Sequence, residues 1–472
     1  MKKTRPNVLL ITADSLRADH LGCYGYKKPT SPNIDAFAQE SCFFSHAFSN
    51  GPNTPHAFPA IMASRYPLMS SKLGLFDAPV TLAEVLQSQG YTTAGFNAGN
   101  PYVSKYFQYD RGFDEFFDYL DFEIAIEAQN VASEKVKKTK ATSTSKDNRR
   151  FSSVAVPKLD LERYLVTEDS MKRKAWIENE INQALFGWLK ENATSPFFIW
   201  VHYMDTHYPY VPQKRFQHEM AVQPFSQRET FYTNICIREN QTLSPRALQR
   251  TIDLYDAAIR QLDTKTGELI RFLKQQELYE STLLIFSADH GEEFQEHGDL
   301  QHKSKLFDEL IRVPLLMKLP DSNMPVIFSE IVGLIDLAPT VLAQLQLDNP
   351  FERTSFLGKN SSGLSYVIAE ASYGSSGATP VDEQMLNIDP LPKIYCYRSK
   401  QWKMVLDQGK NQTYLYNLLM DPNETRDVSD IYRSQANQLL RYLEEHSKFI
   451  EKKRLFSKIK KVQKKLDLAI SK

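Results

Sequence analysis

Three apolar runs constrain the fold of this 472-residue chain more than any other feature: Val8–Thr12, Phe197–His202 and Thr282–Ser287. None alternates polar with apolar residues, as a strand with one wet face would. Helical patterns such as Leu82–Gln89 and Leu254–Gln275 lie between them. Continuous apolar strands separated by helices indicate a parallel sheet buried on both faces. The expected fold class is therefore α/β, a large mostly parallel sheet sandwiched by helices. In such sheets ligands gather beyond the carboxyl ends of the strands, so the polar residues that follow the three runs are the first place to look for chemistry.

Asp14 follows the first run directly, and Asp289-His290-Gly291-Glu292 follows the third. An Asp at a strand end is often only a helix cap, but two strand ends of one parallel sheet can bring Asp14, Asp289 and His290 to one point. Hard divalent cations favour carboxylate oxygens, and an imidazole adds a nitrogen ligand suited to Mn, Zn or Fe. Between the two motifs, Ser49–Pro67 reads as a loop opening a helix, with Thr54 near its start. Thr54 on its own reads as a helix cap.

Two segments depart from the α/β pattern. The Lys/Ser/Thr tract 132–150 has little to bury and is expected to be a mobile insertion. From about Tyr366 the texture changes to short strands (Lys393–Tyr397, Trp402–Leu406, Thr413–Tyr416) and a turn at Asp421-Pro422-Asn423, which suggests a small antiparallel subdomain. The expected organisation is a catalytic α/β domain over 1–365, an antiparallel subdomain over 366–440 and a basic amphipathic helical tail over 441–472.

The motifs together resemble the sulfatase family, within the alkaline phosphatase superfamily. The resemblance is carried, in this order, by Pro6–Gly25, Ser64–Pro67, Gly90–Ala94, Arg111–Asp114, His202–His207, Ser287–Glu292, Arg312–Leu315 and Leu415–Glu424. It implies a nucleophile thirteen residues before the Pro of the Tyr-Pro pair, and counting back from Pro67 reaches Thr54. Family members place there a Cys or Ser that matures to formylglycine, followed by a fixed Pro and Arg. Here Thr cannot be converted, the Pro falls at Pro55 and the Arg position is Phe58. The family's Gly-Lys-Trp-His segment is missing as well, with Ala98–Tyr102 in its neighbourhood. These departures speak against formylglycine chemistry. A Thr at that position is similar to phosphodiesterase and to phosphoglycerol or phosphoethanolamine transferase relatives, in which a metal-activated Thr attacks phosphorus.

The resemblance implies metal ligation by Asp14, Thr54, Asp289 and His290, with Thr54 also the nucleophile. It directs His207 and Lys303 at the oxyanion. His302, beside Lys303, reads as a donor, a metal ligand or the acid for the leaving oxygen, and Asn100 is a weaker candidate. The extra Asp-x-x-x-His of two-zinc relatives is absent at Asp253 and Asp256, which favours a single divalent ion (Mn, Mg, Ca or Zn). Asp19 and His20 read as capping or packing groups, His297 as a turn residue, and Asp205 either as an orienting group for His202 or His207 or as a satisfied loop carboxylate.

The expected function is a metal-dependent hydrolase of a small-molecule or glycan sulfate or phosphate ester, leaning to a phosphodiester. Transfer of a phosphorylated head group, or binding without catalysis, are the alternatives. Equal numbers of basic and acidic residues, 57 of each, speak against a chain-wide nucleic-acid surface. The neutrality is composite, because 452–472 holds nine basic residues and one acidic residue, and 135–150 holds seven and one. The tail leaves open a peripheral membrane or partner contact, and a homo-oligomer is also open. The apolar run Val8–Ile11 is too short for a secretory segment, and the four Cys form no C-x-x-C. Both point to a cytoplasmic protein with reduced thiols.

Overall fold

The computed structural model describes residues 5–118, 168–193, 196–223, scattered positions in 226–237, 241–322, 324–357, 365–373, 387–389 and 391–470. The expected insertion at 132–150 lies outside the described residues.

The principal strands are β1 (Asn7–Ala13), β2 (Cys42–Phe48), β3 (Thr92–Asn97), β4 (Glu115–Phe117), β5 (Phe197–Tyr203), β6 (Thr282–Ala288), β7 (Arg312–Val313), β8 (Leu315–Lys318) and β9 (Val326–Gly333). Among the described residues they form one nine-stranded sheet in the order β9-β2-β8-β6-β1-β5-β3-β4, with β7 paired to β2. The run β6-β1-β5-β3-β4 is wholly parallel, and β8 runs antiparallel to both its neighbours. Every residue of β1, β5 and β6 is buried, which is why the three apolar runs show no alternation.

The principal helices are α1 (Thr54–Ala63), α2 (Leu82–Ser88), α3 (Glu168–Asn192), α4 (Pro245–Gln275), α5 (Leu337–Gln344) and α6 (Arg433–Ile470). Their ends carry the expected chemistry. Thr81 and Glu84 form a reciprocal capping box on α2. The Ser244 hydroxyl accepts from Ala247 N–H, with Pro245 opening α4. Helix α1 ends at Ser64 in the left-handed conformation (φ 50°).

A second sheet is antiparallel, β10 (Tyr366–Ser372), β11 (Lys393–Ser399), β12 (Trp402–Asp407) and β13 (Gln412–Asn417), in that order. The three strands expected there each extend one or two residues further, and β10 is an addition. The sheet is fastened to the first by a buried cluster. Lys403 Nζ lies 2.8 Å from Asp308 and 2.7 Å from Glu424, while Arg398 holds the other Asp308 oxygen at 2.7 Å.

Helix α6 begins at Arg433, eight residues before the expected 441. Its middle clips onto the turn that follows α1. His446 Nε2 meets Glu370 Oε1 at 2.6 Å, Glu370 Oε2 accepts Leu68 N–H at 2.8 Å, and the Arg454 guanidinium donates twice to Leu68 C=O. Beyond that clip Leu455, Phe456 and Ile459 are exposed. No helix among the described residues is long and apolar enough to cross a membrane.

Candidate active site

Strand register assembles the site. Ala13 of β1 pairs with Ala288 of β6 and with Tyr203 of β5, so Asp14 and Asp289 leave the sheet side by side and His202 sits one residue before the edge. Ser15 then turns the chain sharply in the left-handed region (φ 58°), a strained conformation of the kind that clusters at functional sites. In that position its N–H reaches Asp289 Oδ1 at 3.2 Å and its hydroxyl donates to Asp14 Oδ1 at 2.7 Å.

Thr54, the first residue of α1, points its hydroxyl into this edge. Its Oγ1 lies 3.3 Å from Asp14 Oδ2 and 3.3 Å from His290 Nε2. His290 Nε2 is in turn 3.6 Å from Asp14 Oδ1 and 3.4 Å from Asp289 Oδ2. His290 Nε2 thus has an oxygen of Thr54, Asp14 and Asp289 each within 3.3–3.6 Å, separations that suit ligands around an ion about 2.0–2.6 Å from each. All four residues are buried.

Two details of bonding test whether this set fits a cation. His290 Nδ1 lies 2.8 Å from Gly291 C=O, an acceptor only, so Nδ1 carries the proton and Nε2 presents a lone pair. Asp289 Oδ1 accepts the Ser15 and His290 N–H groups, whereas its Oδ2 is buried with no hydrogen-bond partner among the described residues. An orphaned carboxylate oxygen, an imidazole lone pair, a second carboxylate and a hydroxyl converging on one point fit a divalent cation.

The electrostatics agree. Burial followed by the Asp14 charge pushes Asp289 up to about 8. Burial would raise Asp14 too, but the imidazoles of His207, His202 and His290 and the hydrogen bond from His202 outweigh it and hold Asp14 well below the usual carboxylate range. Burial, with the nearby His302, lowers His290 to about 4, so it is neutral and free to ligate at neutral pH.

Asn100 is placed closer to the reacting atoms than its weak sequence signal suggested. Its Oδ1 accepts Tyr102 N–H, which turns Nδ2 inward to donate to Asp14 Oδ2 (2.5 Å) and Thr54 Oγ1 (3.1 Å). His302 also reaches the site, with its ring 4.5 Å from that of His290 and 5.1 Å from that of His207. The buried Glu292 carboxylate holds His302 Nδ1 at 3.0 Å and accepts the Tyr210 hydroxyl at 2.7 Å. Glu292 raises His302 against the opposing effect of burial. His207 is close enough to act on Asp14 electrostatically, and its Nδ1 is turned to its neighbour's carbonyl.

Lys303 is not drawn to this cluster. Its ammonium pairs with Asp299 at 3.0 Å, four residues back on the same loop, and is partly exposed. Asp205 turns out to pair with Lys265 at 2.6 Å and with Gln261, both on α4, rather than with either histidine. His20 is held by Asp256 and stacks on Tyr26, in keeping with a packing role.

The sulfatase family model matches residues 6–347. The chain belongs to the sulfatase family. Its curated relatives include iduronate 2-sulfatase of Mus musculus, 28% identical over 68% of this chain and 60% of that one. They also include the uncharacterized sulfatase YidJ of Escherichia coli, 24% identical over 91% and 84%. The chain thus spans about 60% of the length of the iduronate sulfatase. Among solved structures, the phosphonate monoester hydrolase of Agrobacterium radiobacter shares the fold over 96% of both chains, with a TM-score of 0.66 at 19% identity.

Phe58 lies four residues along α1 from Thr54. Its ring packs edge-on against His202 at 4.9 Å and tilts against Trp200 at 5.3 Å. An apolar ring thus lines this side of the site. Tyr109, near Phe58, has a buried hydroxyl with no hydrogen-bond partner among the described residues. Tyr109 carried no sequence signal, and Ser15 and Glu292 lay inside recognised motifs without a role being assigned to either.

Proposed function

We propose that this protein is a metal-dependent ester hydrolase in which Thr54 is the nucleophile, with phosphodiesters as its preferred substrates. The observation that carries this reading is the Thr54 hydroxyl, held between Asp14 Oδ2, His290 Nε2 and Asn100 Nδ2 at 3.1–3.3 Å. Asp14, Asp289, His290 and Thr54 would hold one divalent ion. When bound, that ion neutralises the two carboxylates and lowers the pKa of the hydroxyl.

The remaining chemistry falls to the chain's own residues. Asp14 Oδ2 is placed to take the Thr54 proton as Oγ1 attacks, and Asn100 N–H stabilises the oxygen that loses it. The α1 amino terminus turns its partial positive charge toward the incoming anion. As the Thr54 O–P bond forms and the ester O–P bond breaks, His302, held by Glu292, protonates the leaving oxygen. Water then attacks phosphorus with His302 as base, the Thr54 O–P bond breaks and the hydroxyl recovers its proton. His207 and Lys303 are proposed donors to the non-bridging oxygens, Lys303 after release from Asp299.

The fold does not choose between sulfur and phosphorus, since sulfatases and a phosphonate hydrolase share it. The choice rests on Thr54 in place of a formylglycine precursor and on Phe58 in place of Arg. Purified protein assayed with aryl sulfate, phosphate monoester, phosphodiester and phosphonate substrates, each with Mn, Mg, Ca or Zn, tests it. Phosphodiester turnover should be fastest and should vanish in Thr54→Ala. Faster sulfate turnover, or an active Thr54→Ala, would overturn the reading.

We further propose that the protein is cytoplasmic, a placement supported by its four free cysteines. The end of α6 is proposed to rest on an anionic lipid surface, because Leu455, Phe456 and Ile459 are exposed in a segment carrying eight net positive charges. Co-sedimentation with phosphatidylserine vesicles should be lost in a Leu455→Ser/Phe456→Ser/Ile459→Ser variant. Equal sedimentation of the two proteins would refute the contact.

A further inference from the structure

His202 stands at the same sheet edge, and one of its nitrogens lies with carboxylate oxygens of Asp14 and Asp289 inside a sphere that would suit a metal ion. The family resemblance assigns it nothing. Its hydrogen bonds decide between two roles, ligand or support.

Start from a group whose direction is fixed. The Trp200 indole N–H can only donate, and it reaches Thr12 Oγ1 at 2.9 Å. Thr12 therefore accepts there and has one proton of its own to give. Its partners are His202 Nδ1 at 3.0 Å and Val201 C=O at 3.3 Å. Donation to the nearer Nδ1 leaves that nitrogen as acceptor and puts the ring proton on Nε2, which faces Asp14 Oδ2 at 3.2 Å. The opposite tautomer would aim the Nε2 lone pair at an ionised carboxylate oxygen, an arrangement relieved only by a cation held between the two. His290 is the mirror case, its Nδ1 proton spent on a carbonyl and its Nε2 lone pair free.

Strand geometry makes the arrangement rigid. Thr12 and His202 are register partners across β1 and β5, and Trp200 lies two residues before His202 on the same face. All three are buried, and Phe58 closes the side of the imidazole.

We propose that Trp200, Thr12 and His202 form a buried donor relay that orients the Asp14 carboxylate, making His202 a positioning residue and not a metal ligand. The relay rests on the reading of Asp14 as a ligand. With Asn100 on the same oxygen, Oδ2 is held from two sides, so Asp14 is presented to the ion in one orientation. Outer groups of this kind typically change metal affinity by about 10–100-fold when removed.

Histidine-labelled protein examined by long-range ¹H–¹⁵N NMR, with and without Zn²⁺, tests the tautomer directly and needs no variant. A proton on Nε2 of His202 in both states is expected. An unprotonated Nε2 whose shift moves on Zn²⁺ addition would make His202 a ligand and overturn the proposal. In calorimetric titrations with Zn²⁺ and Mn²⁺, Thr12→Val and His202→Leu should lose about 10–100-fold in affinity, and His202→Gln, which keeps an N–H near the Nε2 position, should recover most of it. Unchanged affinity in Thr12→Val and His202→Leu would also overturn it. Thr54→Ala in the same titration separates the two readings: a nucleophile assignment that fails in turnover leaves the His202 pattern of metal affinities intact.

Discussion

Replacing Asp289 by Asn should make the metal-free protein more stable while ruining its metal site. In the absence of a cation Asp289 and Asp14 are two buried carboxylates at one point, and Asp289 is pushed up from 3.8 to about 8. A folded-state pKa above the unfolded value means the folded chain binds the proton more tightly, so stability falls as pH rises from about 4 to about 8. Four units at about 1.4 kcal/mol each set the cost of ionising Asp289 at pH 8 on the order of 5 kcal/mol. An Asn keeps Oδ1 for the Ser15 and His290 N–H groups and places an N–H₂ where the orphaned Oδ2 stood, 3.4 Å from the His290 lone pair. For a chain of this length a cooperative transition moves by roughly 1 °C per kcal/mol. In chelator-treated protein, thermal melts at pH 8 should therefore place Asp289→Asn several degrees above wild type, with the difference shrinking toward pH 4. Adding an ion at a hundred times its dissociation constant should raise wild type by about 2.7 kcal/mol and the variant by far less. A metal-free variant that melts below wild type at pH 8, or a difference that does not depend on pH, would refute the account of the site as two carboxylates awaiting a cation.

Asn100→Leu removes the donor shared by Asp14 and Thr54, and kcat should fall by about 10–100-fold with the fold intact by circular dichroism. Lys403→Met leaves the buried Glu424 without its cation and Asp308 with Arg398 alone, and should cost about 3–5 kcal/mol, read as faster proteolysis or hydrogen exchange of β10–β13. The same junction should weaken as pH rises, because His297 joins it, with Nδ1 on Glu309 at 2.5 Å and Nε2 near the Asn423 and Glu424 carbonyls at 3.1 and 3.3 Å. Burial alone would lower His297, but Glu309 outweighs it and holds His297 above its ordinary 6.5, so its contribution is complete below that value and is lost as pH climbs past the raised one. Hydrogen exchange of β10–β13, corrected for intrinsic rate, should accordingly be slower at pH 6 than at pH 8.5, and His297→Gln should flatten that dependence.

The parts of the site legible in the sequence are those that a strand end or helix start delivers. Asp14, Asp289 and His290 follow apolar runs, so local pattern places them near one another, whereas Thr54 joins them only through the family resemblance and its count back from Pro67. Contacts that cross the fold were not legible. Asp205 is claimed by Lys265, sixty residues away on α4. His202 was read as part of a strand, because nothing in its neighbours announces that Thr12, 190 positions earlier, sets its tautomer. Lys303 was drawn to the oxyanion by its spacing from Arg312, while Asp299 four residues back offered a nearer partner. Strand β10 escaped notice because a buried Glu370 interrupts it, and that carboxylate makes sense only once His446 and Leu68 are seen beside it. The start of α6 was missed because the polar residues over 433–438 give little hydrophobic periodicity.

The clip between α6 and the turn after α1 also has a temporal side. Arg454 and the Leu68 carbonyl it grips are 386 positions apart. At synthesis rates of about 5–20 residues per second, the ribosome adds Arg454 roughly 20–80 s after Leu68. For that interval the turn that follows the Thr54 helix lacks this brace. The clip thus closes only after every strand of both sheets has been synthesised.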